Sequence, residues 1–196
     1  MAHDFDDPIT RFGALFARAS AGAPFDPTAM SLGTCGADGQ PSVRVVLLHG
    51  FDARGFCFFT NYESRKGSEI AANPRAALTF HWPWLKEQVR IEGTLARLTP
   101  EESDAYFATR ERGRQVGAWA SAQSRPVASR EALLEQVAEV EARFAGREVP
   151  RPPHWGGYLL TPDVIEFWEG RPNRLHDREA FTRGSDGVWH SRRLSP

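Results

Sequence analysis

Turn signals recur at short intervals through the chain, and they leave room only for short extended segments between them. Ala37-Asp38-Gly39, Asp52-Ala53-Arg54-Gly55 and Ser185-Asp186-Gly187 each join an aspartate to a glycine, the pairing that favours tight turns. The stretches beside them predict strands over residues 30–35, 42–49, 56–61, 76–82 and 88–98. Beyond residue 156, strands are expected over 157–160, 164–168, 176–183 and 188–194. Helical signals interrupt the series in a few places. Asp7-Pro8 sets an N-cap before a first-turn proline, and Ile9, Phe12, Leu15 and Phe16 follow at helical spacing until Gly22-Ala23-Pro24. Ser64 opens a helix over 64–73 that Asn73-Pro74 closes. Thr99-Pro100-Glu101-Glu102 opens another to about residue 109, and two more are expected over 115–122 and 129–144. Residues 147–153 read as a proline-rich linker.

Strands that do not alternate regularly with helices argue against a Rossmann fold. The expected class is α+β, mainly β: a barrel with additional helices. Its organisation is an N-terminal helix and lead-in over 1–27, then one barrel domain over 28–196 with a helical insertion at about 99–146. Neither GxGxxG nor a Walker loop is present, and HExxH and GxSxG are absent too.

Charge excludes further classes. The net charge of −1 gives no global attraction to nucleic acid. Apolar runs such as residues 45–48 are far too short to span a membrane. The acidic start Met1-Ala2-His3-Asp4-Phe5-Asp6-Asp7 has no apolar stretch of a secretory signal. Cys35 and Cys57 have neither metal-ligand spacing nor a CxxC partner, so they read as buried free thiols, no metal is expected, and the setting is cytoplasmic.

The 24 basic residues comprise 22 arginines and only two lysines, Lys66 and Lys86. Codon bias accounts for most of that, yet arginine binds phosphate in bidentate fashion, and three clusters stand out. Ser64-Arg65-Lys66-Gly67 sits where a strand gives way to a helix, and a helix N-terminus favours anions. Arg44, on a neighbouring strand, adds a cation. Tyr106, Arg110 and Arg114 share one helical stripe if the helix is continuous past Gly113. Arg174, His176 and Arg178 would share one face of a strand, near Phe167 and Trp168. A capped solvated helix, pairing with Glu102 or Glu111, and an exposed strand face are the competing readings. Together the clusters point to two phosphate groups, one on a cofactor and one on a substrate.

At these same residues the chain resembles the pyridoxine/pyridoxamine 5′-phosphate oxidase family. The matching stretches include Arg44-Val45-Val46-Leu47-Leu48, Phe59-Thr60-Asn61, Ser64-Arg65-Lys66-Gly67 and Gln88-Val89. They continue through Gln115-Val116-Gly117-Ala118-Trp119, Gln123-Ser124, His154-Trp155-Gly156-Gly157 and Glu166-Phe167-Trp168 to Arg174-Leu175-His176-Asp177-Arg178 and Arg193-Leu194-Ser195-Pro196. The resemblance implies an FMN-binding split β-barrel, a homodimer with FMN at the interface, and oxidation of pyridoxamine or pyridoxine 5′-phosphate by O2 to pyridoxal 5′-phosphate and peroxide. It assigns FMN contacts to Arg44, Phe59, Thr60, Ser64, Arg65, Lys66, Gln88, Gln123, Ser124, Trp168 and Arg178. It places His49, Tyr106, Arg110 and Arg114 at the substrate, with Arg174 and His176 near the reacting carbon.

Three departures qualify the match. His49 stands where the family usually has a lysine, Arg114 stands where a small polar residue is usual, and no arginine- and tyrosine-containing lead-in precedes Asp7. The gained arginine is expected to compensate for the lost lysine. The alternatives are a related FMN oxidase of the phenazine-pathway type and a flavin- or pyridoxal-phosphate-binding protein without turnover.

Overall fold

The structure is a computed structural model and describes residues 7–196. Residues 1–6 of the expected N-terminal helix and lead-in over 1–27 lie outside the described residues. In chain order the elements are α1 (Pro8–Ser20), β1 (Ala29–Cys35), β2 (Pro41–Leu47), β3 (Gly50–Asp52), β4 (Gly55–Asn61), α2 (Arg65–Ala72), β5 (Arg75–Trp82) and β6 (Glu87–Arg97). The helices α3 (Pro100–Thr109), α4 (Arg112–Ala120) and α5 (Arg130–Arg143) follow, then β7 (Trp155–Glu169), β8 (Asp177–Arg183) and β9 (Trp189–Arg193). The helices begin where the caps predict: Asp7 accepts from Ile9 and Thr10, Ser64 from Gly67, and Thr99 and Glu102 close a reciprocal capping box. No helix among the described residues is long and apolar enough to cross a membrane.

All strand pairs in the sheet are antiparallel, in the order β2-β1-β5-β6-β7-β4-β3, with β8 on β7 and β9 on β8. The long strand β7 organises the split. One edge pairs with β6 along its length, while the other pairs first with β4 and then with β8. The two strands expected over 157–160 and 164–168 are therefore one. Pro162 reads as a breaker because it has no N–H to donate. Here it sits at a bulge: Gly93 pairs with Pro162 and Glu92 with Val164, which leaves Asp163 as the extra residue. A side chain at Gly93 would place Cβ 2.1 Å from the Thr161 carbonyl oxygen, so the close approach requires glycine.

The sheet curls around a core containing Phe56, Phe58, Phe80, Trp82, Ile91, Leu160 and Ile165. Helix α1 inserts Phe12 among the Phe51, Phe56 and Phe80 rings at centroid distances of 4.8–5.1 Å. A second cluster joins Phe107, Val116, Phe144, Val149 and Trp155 where α3, α4 and α5 meet the start of β7. On the edge strand β2 the alternation leaves Val43, Val45 and Leu47 exposed in a row.

Three local expectations need correction. Helix α3 ends at Thr109, Arg110 is extended, and α4 restarts at Arg112, so Tyr106, Arg110 and Arg114 do not form one continuous stripe. Gly113 lies inside α4 and is not the break. Strand β8 begins only at Asp177: Pro172–Arg174 is a single 3-10 turn in which Asn173 and Arg174 have φ of 59° and 61°. Arg174, His176 and Arg178 therefore do not share a strand face. The cysteines are free, as expected, but half-buried rather than buried.

Candidate active site

A cleft of about 670 Å³ opens between the barrel and the helical segment. Strand β2 and the following turn supply Arg44 to His49, and the end of β4 supplies Phe59, Thr60 and Asn61. Lys66 comes from α2, Tyr106 from α3, and Arg110 from the α3–α4 joint. Arg114, Gly117 and Ala118 come from α4, followed by Ser121, Gln123 and Trp155. The fold thus gathers Arg44, Phe59, Thr60, Lys66 and Gln123 with His49, Tyr106, Arg110 and Arg114, although more than sixty residues separate the ends of the two sets.

The α2 end of the cleft is a wired cradle. Lys66 is 9% exposed, and its Nζ donates to Gln123 Oε1 (2.8 Å), Thr60 Oγ1 (3.1 Å) and Ser64 Oγ (3.3 Å). All three acceptors are neutral, so this buried ammonium lacks a counter-charge of its own there. Burial drives its pKa down to about 8, with Arg44 adding to the fall and Glu69 opposing it. Arg44 donates to the Leu32 carbonyl (3.1 Å) and to Glu69 (2.9 Å), as well as to Thr34 and Ser42. Arg65 is exposed and donates to Glu69 through Nε (2.8 Å). Ser64 is fully buried and gives its proton to the Asn61 carbonyl (2.7 Å), so it caps the helix and does not line the cleft. Gly67 lets α2 start tight against the preceding turn, since a Cβ there would meet the Tyr62 carbonyl oxygen at 2.0 Å.

The opposite wall is aromatic and less satisfied. The His49 ring lies 4.0 Å from Tyr106 and 4.9 Å, edge-on, from Phe59. Burial lowers its pKa from the ordinary 6.5, so His49 is neutral at pH 7. Phe59 stacks on Trp155 at 5.3 Å, and the Arg110 guanidinium sits 4.5 Å from the Trp155 ring. Among the described residues, Arg110 Nη1 is buried without a hydrogen-bond partner. Such a donor calls for an acceptor from outside the chain. Arg114 is exposed and meets Glu111 at 3.6 Å. Behind the wall, Cys57 lines another cavity, and burial pushes its thiol up to about 12, so it is no nucleophile at neutral pH.

The remaining proposed residues lie elsewhere. Gln88, Trp168 and Arg178 occupy one cross-strand row over β6, β7 and β8. Arg178 donates to the buried Glu166 (2.8 Å) and to the Ser195 carbonyl (2.9 Å), and His176 packs 4.6 Å from Trp168. Arg174 is exposed, as is Ser124, and neither lines the cleft. Trp155 and Asn61 line it but had no role assigned from sequence; an isolated tryptophan before Gly156-Gly157 was the available signal.

A fit to phosphorylated ligands follows from the donors themselves. A buried ammonium on neutral oxygens and a buried guanidinium nitrogen without an acceptor are both answered by anions. The split antiparallel barrel is the fold of FMN-binding split-barrel proteins. An FMN-binding protein from Nostoc punctiforme related to pyridoxamine 5′-phosphate oxidase superposes with a TM-score of 0.77 at 18% identity, covering 97% of this chain and 98% of that one. Family models then fix the group: residues 21–144 match pyridoxamine 5′-phosphate oxidase, and residues 155–196 match the pyridoxine 5′-phosphate oxidase C-terminal dimerisation region. The chain belongs to the pyridoxine/pyridoxamine 5′-phosphate oxidase family. Enzymes of that name from Myxococcus xanthus and Rubrobacter xylanophilus are 57% and 58% identical over 97% of this chain and over 92% and 87% of theirs. PhzG from Burkholderia lata, solved with tetrahydrophenazine-1-carboxylic acid, superposes with a TM-score of 0.93 at 33% identity, covering 99% of this chain and 95% of that one.

Proposed function

We infer that the chain is an FMN-dependent oxidase that converts pyridoxamine or pyridoxine 5′-phosphate to pyridoxal 5′-phosphate, with O2 as acceptor and H2O2 as product. One observation carries the reading: a single cleft holds two separate anion-seeking cations, Lys66 from α2 and Arg110 from the α3–α4 joint. A phosphorylated cofactor and a phosphorylated substrate account for both. The identities of 57–58% to vitamin B6 oxidases, against 33% to PhzG, favour this substrate class over a phenazine precursor.

FMN supplies the two-electron acceptor and its reoxidation by oxygen. The chain supplies position. Lys66, Arg44 and Thr60 hold the cofactor phosphate end, with Gln123 closing over Lys66. Arg110 holds the substrate phosphate from its seat on Trp155, and Arg114 adds the charge that neutral His49 does not provide. Tyr106 and His49 form a flat wall beside the substrate ring. Ring stacking and phosphate anchoring fix the carbon that loses hydride; Arg174 and His176, which lie outside the cleft of their own chain, act from a second copy, Arg174 orienting the amine or alcohol and His176 holding the adjacent ring hydroxyl.

The row of Gln88, Trp168 and Arg178 completes the site from a second copy. Support comes from its position outside the single-chain cleft, from the dimerisation-region match over 155–196, and from the exposed Val43, Val45 and Leu47 beside the cleft. The helical segment at about 99–146 acts as an insertion in one barrel domain over 28–196. An aerobic assay with pyridoxamine 5′-phosphate, following pyridoxal phosphate and peroxide together, tests the activity. Flavin uptake with no turnover of the amine or the alcohol overturns the oxidase reading.

A further inference from the structure

Glu69 does not line the cleft, yet two of the cradle's cations converge on it. Its Oε2 accepts from Thr34 Oγ1 (2.5 Å), Ser42 Oγ (2.6 Å) and Arg44 Nη2 (2.9 Å), and its Oε1 accepts from Arg65 Nε (2.8 Å). The four donors come from β1, β2 and α2. Thr34 and Ser42 are directly paired across β1 and β2, and Arg44 lies two residues further along the same strand. One carboxylate thus ties the helix that carries Lys66 to the strand that carries Arg44. Burial alone would raise its pKa, but the bonds from Ser42, Thr34, Arg65 and Arg44 outweigh this and bring it to about 2. It is therefore ionised across the working range.

We propose that Glu69 is the positioning residue of the phosphate cradle: it fixes the Arg44 and Arg65 guanidiniums about the start of α2 and balances the charge of Arg44 beside Lys66. This rests on the FMN reading of the cleft. Without the carboxylate, Arg44 acts on Lys66 unopposed, and the ammonium loses its proton at lower pH. The charged groups that bear on Lys66 are Arg44 from β2 and Glu69 from its own helix, while its direct contacts Thr60, Ser64 and Gln123 are neutral. The other titratable groups lining the same cleft are His49, Tyr106, Arg110 and Arg114. An amide at position 69 keeps the shape but offers one acceptor oxygen and turns donors toward donors.

The test is FMN titration of the full chain by flavin fluorescence from pH 6.5 to 9.5, for wild type, Glu69→Gln and Ser42→Ala. Folding is checked by circular dichroism. Glu69→Gln should weaken FMN binding about tenfold at pH 7.5 and move the pH at which affinity begins to fall downward by about half a unit, with kcat at saturating FMN within twofold of wild type. Ser42→Ala removes the hydroxyl's two bonds, to Glu69 and from Arg44, but keeps the charge; it should weaken binding about threefold without moving that pH. If Glu69→Gln does not fold, wild-type affinity in Ser42→Ala overturns the proposal and the threefold loss supports it. A uniform loss in folded Glu69→Gln with no pH displacement marks a merely structural residue and overturns it, as does affinity within twofold of wild type. Those results leave the FMN reading standing, whereas a wild-type chain that takes up no FMN overturns both.

Discussion

The two ends of the cleft treat positive charge in opposite ways. At the α2 end every cation has protein partners: Lys66 has three neutral oxygens, Arg44 has a carbonyl, two hydroxyls and a carboxylate, and Arg65 has Glu69. At the α3–α4 end Arg110 keeps a buried nitrogen without a partner and leans on an aromatic face. Arg114 reaches only a solvent-exposed carboxylate. The wired end is organised before any ligand arrives and suits a cofactor that stays. The unsatisfied end gains most from a ligand and suits a substrate that comes and goes.

Removing the central cation of each end should sharpen that contrast. The largest effect is expected from Lys66→Met, which should weaken FMN binding by about a hundredfold, or ~3 kcal/mol, as measured by fluorescence titration. Arg110→Met should raise KM for pyridoxamine 5′-phosphate about thirtyfold while FMN affinity stays within threefold. Its melting temperature should not fall, because the change removes a buried unsatisfied donor. Equal loss of FMN binding in both variants would break the division into two ends.

The wired end also predicts a pH signature. The folded pKa of Lys66 is about 8, below its ordinary 10.5, so the unfolded chain binds more protons between those values. Stability of the FMN-free protein should therefore rise with pH through that window. FMN affinity should fall through the same window, because the anion holds the proton on Lys66. Melting and titration curves from pH 7.5 to 10 check both slopes, and parallel slopes would contradict the assignment. The smallest effect belongs to the open end: Arg114→Ser should change kcat/KM for pyridoxamine 5′-phosphate by a few fold. A change below twofold would remove the compensation between Arg114 and neutral His49.

Legibility followed the range of each signal. Caps such as Asp7, Ser64 and Thr99 act over three or four residues, and the helices begin where those residues fall. Strands with regular alternation, such as β1 and β2, were equally visible. The continuity of β7 was not, because the glycine that accommodates Pro162 lies on β6, nearly seventy residues earlier. The three-residue β3 is too short to show a period. At the candidate site, the residue types were legible, but their grouping was not. The break at Arg110 and the left-handed pair Asn173 and Arg174 depend on backbone angles that composition does not encode. Resemblance supplied residue roles, while the structure supplied the division into a cleft and a separate row.

Strand β7 is also a ruler. Trp155 stands at one end against the cleft, and Trp168 stands thirteen residues on, in the separate row. At about 3.3 Å per residue, the chain between them runs about 43 Å when extended. Sheet curl shortens the straight path, but hydrogen-bonded neighbours on both edges prevent the strand from folding back on itself. A side-chain substitution does not shorten that span. Under the dimeric site proposed above, joining the two groups in one pocket becomes a problem of stoichiometry, with concentration as its control variable.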